Sequence, residues 1–246
     1  EKIGNVFIYS SGGCCRLVSL FKGYFLAKKL VNQEKIGVVS SQDPFESALV
    51  VHLLQKSCSI KVNIQVHGDF FSQIFWRKQR WLNFFRYYEA IWLLKKADSV
   101  RAVSGRIRKL LIDKFKISAE KVIVAPIHID FSGELSKVKH DSDFSKPFVF
   151  LMVSRLAQEK NLSMALKVFY KLKKNSRGAM LRIAGDGVER EKIERLVRKL
   201  KIQDKVELLG WLGKEALIDE YAKADCFLLP SDFEGWGLAP LEAAYF

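Results

Sequence analysis

Residues 230–244 crowd charged, aromatic and flexible side chains into one stretch, Pro230-Ser231-Asp232-Phe233-Glu234-Gly235-Trp236-Gly237-Leu238-Ala239-Pro240-Leu241-Glu242-Ala243-Ala244. Gly235 and Gly237 let the backbone turn with its amide hydrogens exposed, and Pro240 is tolerated in the first turn of a helix. Exposed amides at a helix start are a ready anion site. Glu234 falls in the loop and Glu242 one to two turns into the helix. The two carboxylates therefore address different parts of one ligand and do not form a close acid/base pair. A purely structural account has no reason to place two carboxylates, two glycines and a tryptophan together at the end of a strand.

Two further loops have suitable chemistry. Ser154-Arg155-Leu156-Ala157-Gln158-Glu159-Lys160-Asn161 lies between a predicted strand and a helix. Arg155 offers a planar fork of donors and Lys160 a compact charge, which together suit a diphosphate, and the following helix N-terminus adds a favourable field. Taken alone, the pair reads equally well as two surface cations. In Gly185-Asp186-Gly187 the glycines permit positive φ and close backbone approach. Taken alone, this loop reads as a tight strand-to-helix turn with Asp186 as a cap.

The elements that must hold these loops alternate short apolar strands with amphipathic helices, the signature of a parallel α/β sheet. Strands are expected at 6–9, 36–40, 62–66, 99–103, 121–125, 148–153, 180–184, 206–209 and 226–229. Helices are expected at 16–29, 45–56, much of 70–96, 106–114, 162–174, 189–201 and 214–223. Between 132 and 146 the apolar periodicity lapses into small and polar residues, which is linker chemistry closed by Pro147. The reading is an α/β chain of two αβα domains, residues 1–131 and 147–246, joined by the linker 132–146. In such open sheets ligands bind at the carboxyl ends of the strands, so the three loops of the second domain should converge on one crevice.

The stretch Phe233-Glu234-Gly235-Trp236-Gly237-Leu238-Ala239-Pro240-Leu241-Glu242-Ala243 resembles the signature of retaining glycosyltransferases of family 4, two glutamates with seven residues between them. Val153-Ser154-Arg155-Leu156 with Lys160-Asn161 resembles that family's phosphate-binding segment. Ile183-Ala184-Gly185-Asp186-Gly187 is similar to its second donor loop, and Leu208-Leu209-Gly210-Trp211 to the strand end that contacts the base. The four blocks stand in the family's order. The resemblance implies the GT-B architecture, two Rossmann-like αβα domains facing across a cleft. It implies transfer of a hexose-type sugar from a UDP- or GDP-sugar to a glycan or lipid-linked acceptor, with retention of configuration. Arg155 and Lys160 would neutralise the departing diphosphate without a metal or other cofactor, Glu234 would sit beside the transferred sugar, and Glu242 would bind the ribose hydroxyls. The loop glycines Gly185, Gly187, Gly210, Gly235 and Gly237, with Asp186, Trp236 and Leu238, would line the donor. In Gln65-Val66-His67-Gly68-Asp69, His67 resembles the residue that reaches the donor sugar from the first domain. Ser104 matches the family's strand-end serine and is expected to cap the next helix. Ser11-Gly12-Gly13 is not assigned as the family's acceptor loop, because too few strands precede His67.

The chain has 246 residues and a formal charge of +14. Residues 77–121 hold 13 Lys/Arg against 4 Asp/Glu. Such a bias favours an anionic partner, a phospholipid surface, a lipid-phosphate acceptor or nucleic acid. Phe75, Trp76, Trp81, Phe84, Phe85, Tyr87 and Tyr88 interleave there with Arg77, Lys78, Arg80 and Arg86. That pattern suits peripheral contact with an anionic membrane or, as the preferred reading, a core face backed by a solvated one. Cys14, Cys15, Cys58 and Cys226 form no metal-type spacing, so no zinc site is expected. Reduced, buried thiols in a cytoplasmic protein are the simplest account. A basic nucleic-acid-binding module is the alternative from another class, although no known nucleic-acid motif is present. A sugar epimerase or phosphorylase of the same architecture is a further alternative. The chain begins at Glu1 and stops at Phe246 inside a predicted helix, so both domains are expected to be incomplete and the chain alone inactive.

Overall fold

A strand buried on one face repeats its apolar residues every second position, and a parallel neighbour can follow only through a crossover of a dozen or more residues. The chain obeys both rules in two successive units, Glu1–Ile127 and His128–Phe246. The computed structural model describes residues 2–3, 6–12, 15–68, 71, 81–128, 147–173, 178–232 and 234–246. The expected linker 132–146 lies outside the described residues, as do Gly13, Cys14, Asp69, Phe75, Trp76, Arg77, Lys78, Arg80 and Phe233.

In the first unit, β1 (Lys2–Ile3) and β2 (Val6–Phe7) pair antiparallel. The strand expected at 6–9 thus belongs to a two-stranded pair and not to the parallel series. Then follow α1 (Arg16–Gln33), β3 (Val38–Ser41), α2 (Glu46–Ser57), β4 (Lys61–Val66), α3 (Trp81–Lys96), β5 (Ser99–Ala102), α4 (Gly105–Asp113) and β6 (Val122–Val124). The sheet runs β3-β4-β5-β6, all parallel. Its buried face carries Val62, Ile64, Val66, Val100, Ala102 and Val122, and α2, α3 and α4 supply Leu54, Leu93, Leu94, Ile107 and Leu111 to the same core. On the opposite face a polar chain crosses the strands. Asn63 Nδ2 donates to Ser99 Oγ at 2.8 Å and Gln65 Nε2 to Ser40 Oγ at 3.0 Å. Arg101 Nη1 donates to Gln65 Oε1 at 2.9 Å. Ser104 caps α4 as expected, its Oγ accepting from the Ile107 amide at 3.3 Å.

The α3 helix departs from the expected division into core and solvated faces. Asn83, Tyr87, Ala90 and Leu94 form its buried stripe. The other side carries Trp81, Phe85, Tyr88 and Trp92, spaced i, i+4, i+7 and i+11, and all are exposed. Both faces are therefore apolar or aromatic. Among the described residues no helix is long and apolar enough to cross a membrane. The described cysteines are free, but none is buried: Cys15 is exposed and Cys58 and Cys226 are half-buried.

The second unit contains β7 (Val149–Val153), a 3-10 turn (Gln158–Lys160), α5 (Leu162–Lys173), β8 (Met180–Ala184), α6 (Arg190–Leu200), β9 (Val206–Gly210), α7 (Lys214–Lys223), β10 (Cys226–Phe227) and α8 (Leu238–Tyr245). The parallel strand order is β10-β7-β8-β9. The chain moves outward from β7 to β9, then returns to place β10 on the other side of β7. That reversal is a topological switch point, where the loops leaving adjacent strands part and open a crevice. Met152, Leu156, Leu166, Phe169, Leu181, Ile183, Ile193 and Val197 build the core between the sheet and α5 and α6. Arg182, on the strand face away from that core, pairs with Glu220 of α7 at 2.5 Å and with Glu207 of β9 at 2.8 Å. It thereby fastens α7 to the sheet.

Candidate active site

The first and third loops leave β7 and β10, the two strands that flank the switch point. They are tied by three polar links. The Asp232 amide donates to the Glu159 carbonyl at 2.9 Å, and Asn161 Nδ2 donates to Asp232 Oδ1 at 3.0 Å. Lys160 Nζ meets Glu234 Oε1 at 2.5 Å. Asn161 itself sits in the left-handed region at φ 50°, a conformation that asparagine tolerates better than most residues. That turn ends the 3-10 segment and starts α5.

The second loop closes against the first. The Leu156 amide donates to the Asp186 carbonyl and the Glu189 amide to the Leu156 carbonyl, each at 2.9 Å. Gly185 (φ +129°) and Gly187 (φ +156°) make this approach sterically feasible. A Cβ on Gly185 would lie 1.9 Å from the Ser154 carbonyl oxygen, and one on Gly187 would lie 2.6 Å from that of Leu156. The close partner of these glycines is thus the neighbouring loop. Asp186 does not cap α6. Its Oδ1 accepts from the Gly187 amide at 2.7 Å, and Glu189 occupies the cap position, its side chain paired with Lys192 and making no capping bond. Gly210 ends β9 at φ +70°, and its carbonyl accepts from the Gly185 amide at 2.6 Å.

The charged side chains fall into three arrangements. Lys160 is largely buried, 15% exposed, and is held by Glu234. Arg155 projects outward, 78% exposed, with its guanidinium 3.2 Å from Glu159. The structure therefore joins Lys160 to Glu234 while Arg155 stays at the rim. Glu242, in α8, accepts a hydrogen bond on Oε2 from the Tyr221 hydroxyl at 2.7 Å. Gly237, the residue before α8, takes φ 74° and ψ 74°, so Gly235, Trp236 and Gly237 lead into Leu238 at the helix start. First-turn amides of a helix have no intrahelical partner.

Three buried polar atoms in and beside these loops have no partner among the described residues: Ser154 Oγ, Ser231 Oγ and Trp236 Nε1. Each such group costs about 1–3 kcal/mol if it stays unsatisfied, which favours a ligand that engages it. Sequence reasoning assigns Ser154 and Ser231 no role, since a serine at a strand end is too common to signal one. It also misses Tyr221, because a tyrosine in an amphipathic helix reads as core. Among the described residues no group of three or more His, Cys, Asp or Glu could hold a metal ion.

His67 belongs to the first unit, just past the carboxyl end of β4. Its Nε2 is buried, with no partner among the described residues. Burial, and then the Arg101 charge, hold its pKa below the ordinary value, with Asp43 opposing them. Its imidazole is accordingly neutral near pH 7.

With this geometry in place, comparisons with known proteins agree on its kind. A family model described as Glycosyltransferase Family 4 matches residues 6–132, and one described as Glycosyl transferases group 1 matches residues 136–246. The chain is 28% identical over 233 residues to the GalNAc-alpha-(1->4)-GalNAc-alpha-(1->3)-diNAcBac-PP-undecaprenol alpha-1,4-N-acetyl-D-galactosaminyltransferase of Campylobacter jejuni, covering 94% of this chain and 59% of that protein. It is 24% identical over 238 residues to the alpha-monoglucosyldiacylglycerol synthase of Streptococcus pneumoniae, covering 91% of this chain and 53% of the relative. The chain thus spans between half and three-fifths of the length of these two relatives. Among solved structures, S. aureus TarM, in complex with UDP, alpha-GlcNAc-glycerol and fondaparinux, superposes with a TM-score of 0.73 at 14% identity, covering 92% of this chain and 43% of that one. That likeness establishes the fold, GT-B.

Proposed function

The chain belongs to glycosyltransferase family 4, and from that premise we propose that it moves a hexose-type sugar from a UDP- or GDP-sugar to a glycan or lipid-linked acceptor, with retention of configuration. The observation that supports this reading is the Lys160–Glu234 pair, which joins the loops leaving β7 and β10 at the switch point, with Glu242 on the helix that follows the second of these loops. Lys160 and the α8 amides take the diphosphate, Arg155 closes over it from the rim, and no metal is required. Charge that develops on the departing diphosphate is then met by groups already in place, which is the largest single term in many enzymes. Glu242 receives the ribose hydroxyls and Glu234 stands beside the sugar. Glu234 is assigned a place beside the sugar and no nucleophilic role. By the family resemblance His67 supplies a hydrogen bond to the donor sugar; its imidazole is neutral and its Nε2 has no partner among the described residues.

The acceptor reading draws on the relatives, whose names specify an undecaprenol-linked saccharide and a diacylglycerol glycolipid. A lipid-linked acceptor places the enzyme at a membrane surface, and we assign it to the cytoplasmic face. The exposed aromatic stripe of α3 fits such a surface, with Lys95 and Lys96 on the same helix and a chain charge of +14. Aromatic residues flanked by cations favour the interface of an anionic bilayer. Nucleic-acid binding is less well supported. Arg86 bonds Glu46, Arg101 bonds the Ala125 carbonyl, Arg108 the Val122 carbonyl and Lys121 the Ala97 carbonyl, so four cations of the basic stretch serve the fold.

The test is transfer, or slow hydrolysis, of nucleotide sugars by the full-length protein, followed by identification of the released nucleotide and the product anomer. Glu234→Ala, Glu242→Ala and Lys160→Ala should each lower turnover by about 100-fold or more. Undiminished activity in all three would overturn these residue roles, and an epimerised or phosphorolysed product would reassign the chemistry.

A further inference from the structure

We propose that Tyr221 is a positioning residue for the donor: its buried hydroxyl fixes the Glu242 carboxylate in the orientation that receives the ribose diol. The inference rests on the reading of Glu242 as the ribose ligand and adds a residue that the signature does not contain.

Tyr221 lies on α7 and is 4% exposed. Its ring stacks on Phe246, with centroids 5.9 Å apart and planes at 16°, and tilts against Phe227 at 6.1 Å. A phenylalanine could fill this space, so packing alone does not require the hydroxyl. That hydroxyl has two acceptors in reach, Glu242 Oε2 at 2.7 Å and the Ala239 carbonyl at 3.3 Å. The shorter contact is to the charged group, which forms the stronger bond.

The platform beneath the phenol is rigid. Glu220, the preceding residue, is clamped by two bonds from Arg182, at 2.5 and 3.1 Å, and Arg182 also holds Glu207. Glu242, by contrast, stands on the eight-residue helix α8 and has three side-chain torsions to fix. A glutamate left free would have to be ordered by the ligand, which weakens binding. Tyr221 does that ordering before the ligand arrives. A carboxylate offers about four acceptor positions, and Tyr221 takes one of them. Oε1 receives no bond from any described residue, and Oε2 keeps a second lone pair, so a vicinal diol can be held by both oxygens. Burial, then the hydrogen bond to Glu242 and last its charge, push the phenol well above its ordinary pKa, so it stays a donor at every physiological pH.

The experiment titrates the full-length protein with UDP and GDP and with their 2′,3′-dideoxy analogues, using whichever base binds more tightly. The unsubstituted protein should prefer the ribonucleotide by roughly tenfold or more, as expected for hydrogen bonds to a charged group. Tyr221→Phe should remove most of that preference and leave the dideoxy nucleotide's affinity unchanged. In a Glu242→Ala background, Tyr221→Phe should have no further effect on the preference. A Tyr221→Phe protein that loses affinity equally for both nucleotides, or for neither, overturns the positioning role, as does an effect that persists without Glu242. If Tyr221→Phe does not fold, Tyr221→Leu in the same cycle takes its place and must also abolish the preference. The underlying reading fails separately: Glu242→Ala would then leave the ribose preference intact, or no nucleotide would bind at all.

Discussion

Lys160 and Glu234 form an ion pair, Nζ to Oε1 at 2.5 Å, between residues 74 positions apart in the chain. One is the cation assigned to the diphosphate and the other the carboxylate assigned to the sugar. The pair preorganises the pocket, but it also means that an arriving diphosphate competes with Glu234 for the same ammonium. Glu234→Gln should therefore leave UDP or GDP affinity unchanged or a few-fold tighter, while sugar transfer falls about 100-fold. Lys160→Ala should weaken nucleotide binding and transfer together. Calorimetric titration beside turnover separates the two patterns; a Glu234→Gln protein that binds the nucleotide much more weakly contradicts this division.

His67 should set a pH limit on the acid side. Its folded-state pKa lies below the ordinary 6.5, chiefly through burial. The neutral imidazole is then present above that lowered value and lost as pH falls through it. Turnover should hold level across pH 6.5 and decline only below it, and the decline should move or vanish in His67→Gln. An inflexion at or above pH 6.5 that depends on His67 would contradict the assignment.

Gly185→Ala tests the packing of the second loop on the first. The added Cβ would stand 1.9 Å from the Ser154 carbonyl oxygen at a φ of +129°. Backbone would have to move, which costs about 3 kcal/mol or more. Chemical denaturation should show that loss, or the variant should fail to accumulate as soluble protein. Gly37→Ala, where a Cβ meets nothing within 4 Å, is the matched control and should change stability by about 1 kcal/mol or less.

The α3 stripe predicts binding to vesicles of phosphatidylglycerol over phosphatidylcholine, weakened by salt because basic residues contribute. Replacing Trp81, Phe85 and Trp92 together by serine should lower co-sedimentation about tenfold or more, since each aromatic buries considerable apolar area at an interface. The triple variant should stay folded, because all three side chains are exposed. Equal binding by the variant would remove the stripe from the membrane reading.

Part of the candidate site is legible in the sequence. Charged and glycine-rich loops after strands can meet only at the carboxyl edge of a parallel sheet, so Lys160 and Glu234 can be grouped without any distance. What the sequence hides has a common cause, which is that pairing partners lie on other elements. Tyr221 looks like any core residue of an amphipathic helix until Glu242 is placed 2.7 Å away. The basic stretch suggests a charged surface, yet Arg101 and Lys121 bond backbone carbonyls that only the folded chain brings near. The aromatic residues of α3 fit a core on either face, and helical spacing cannot say which face is left uncovered. The 6–9 segment has strand chemistry, but its partner is the adjacent residue pair Lys2–Ile3 rather than the parallel sheet.

The most direct test of the central claim is calorimetric binding of UDP and GDP to the full-length protein, repeated with Lys160→Ala and Glu242→Ala. A pocket built from these loops should bind one of the two nucleotides in the micromolar range, and each substitution should weaken that binding by about tenfold or more. Failure to bind either nucleotide, or equal affinity in all three proteins, would contradict the claim that the β7/β10 switch point is the donor site.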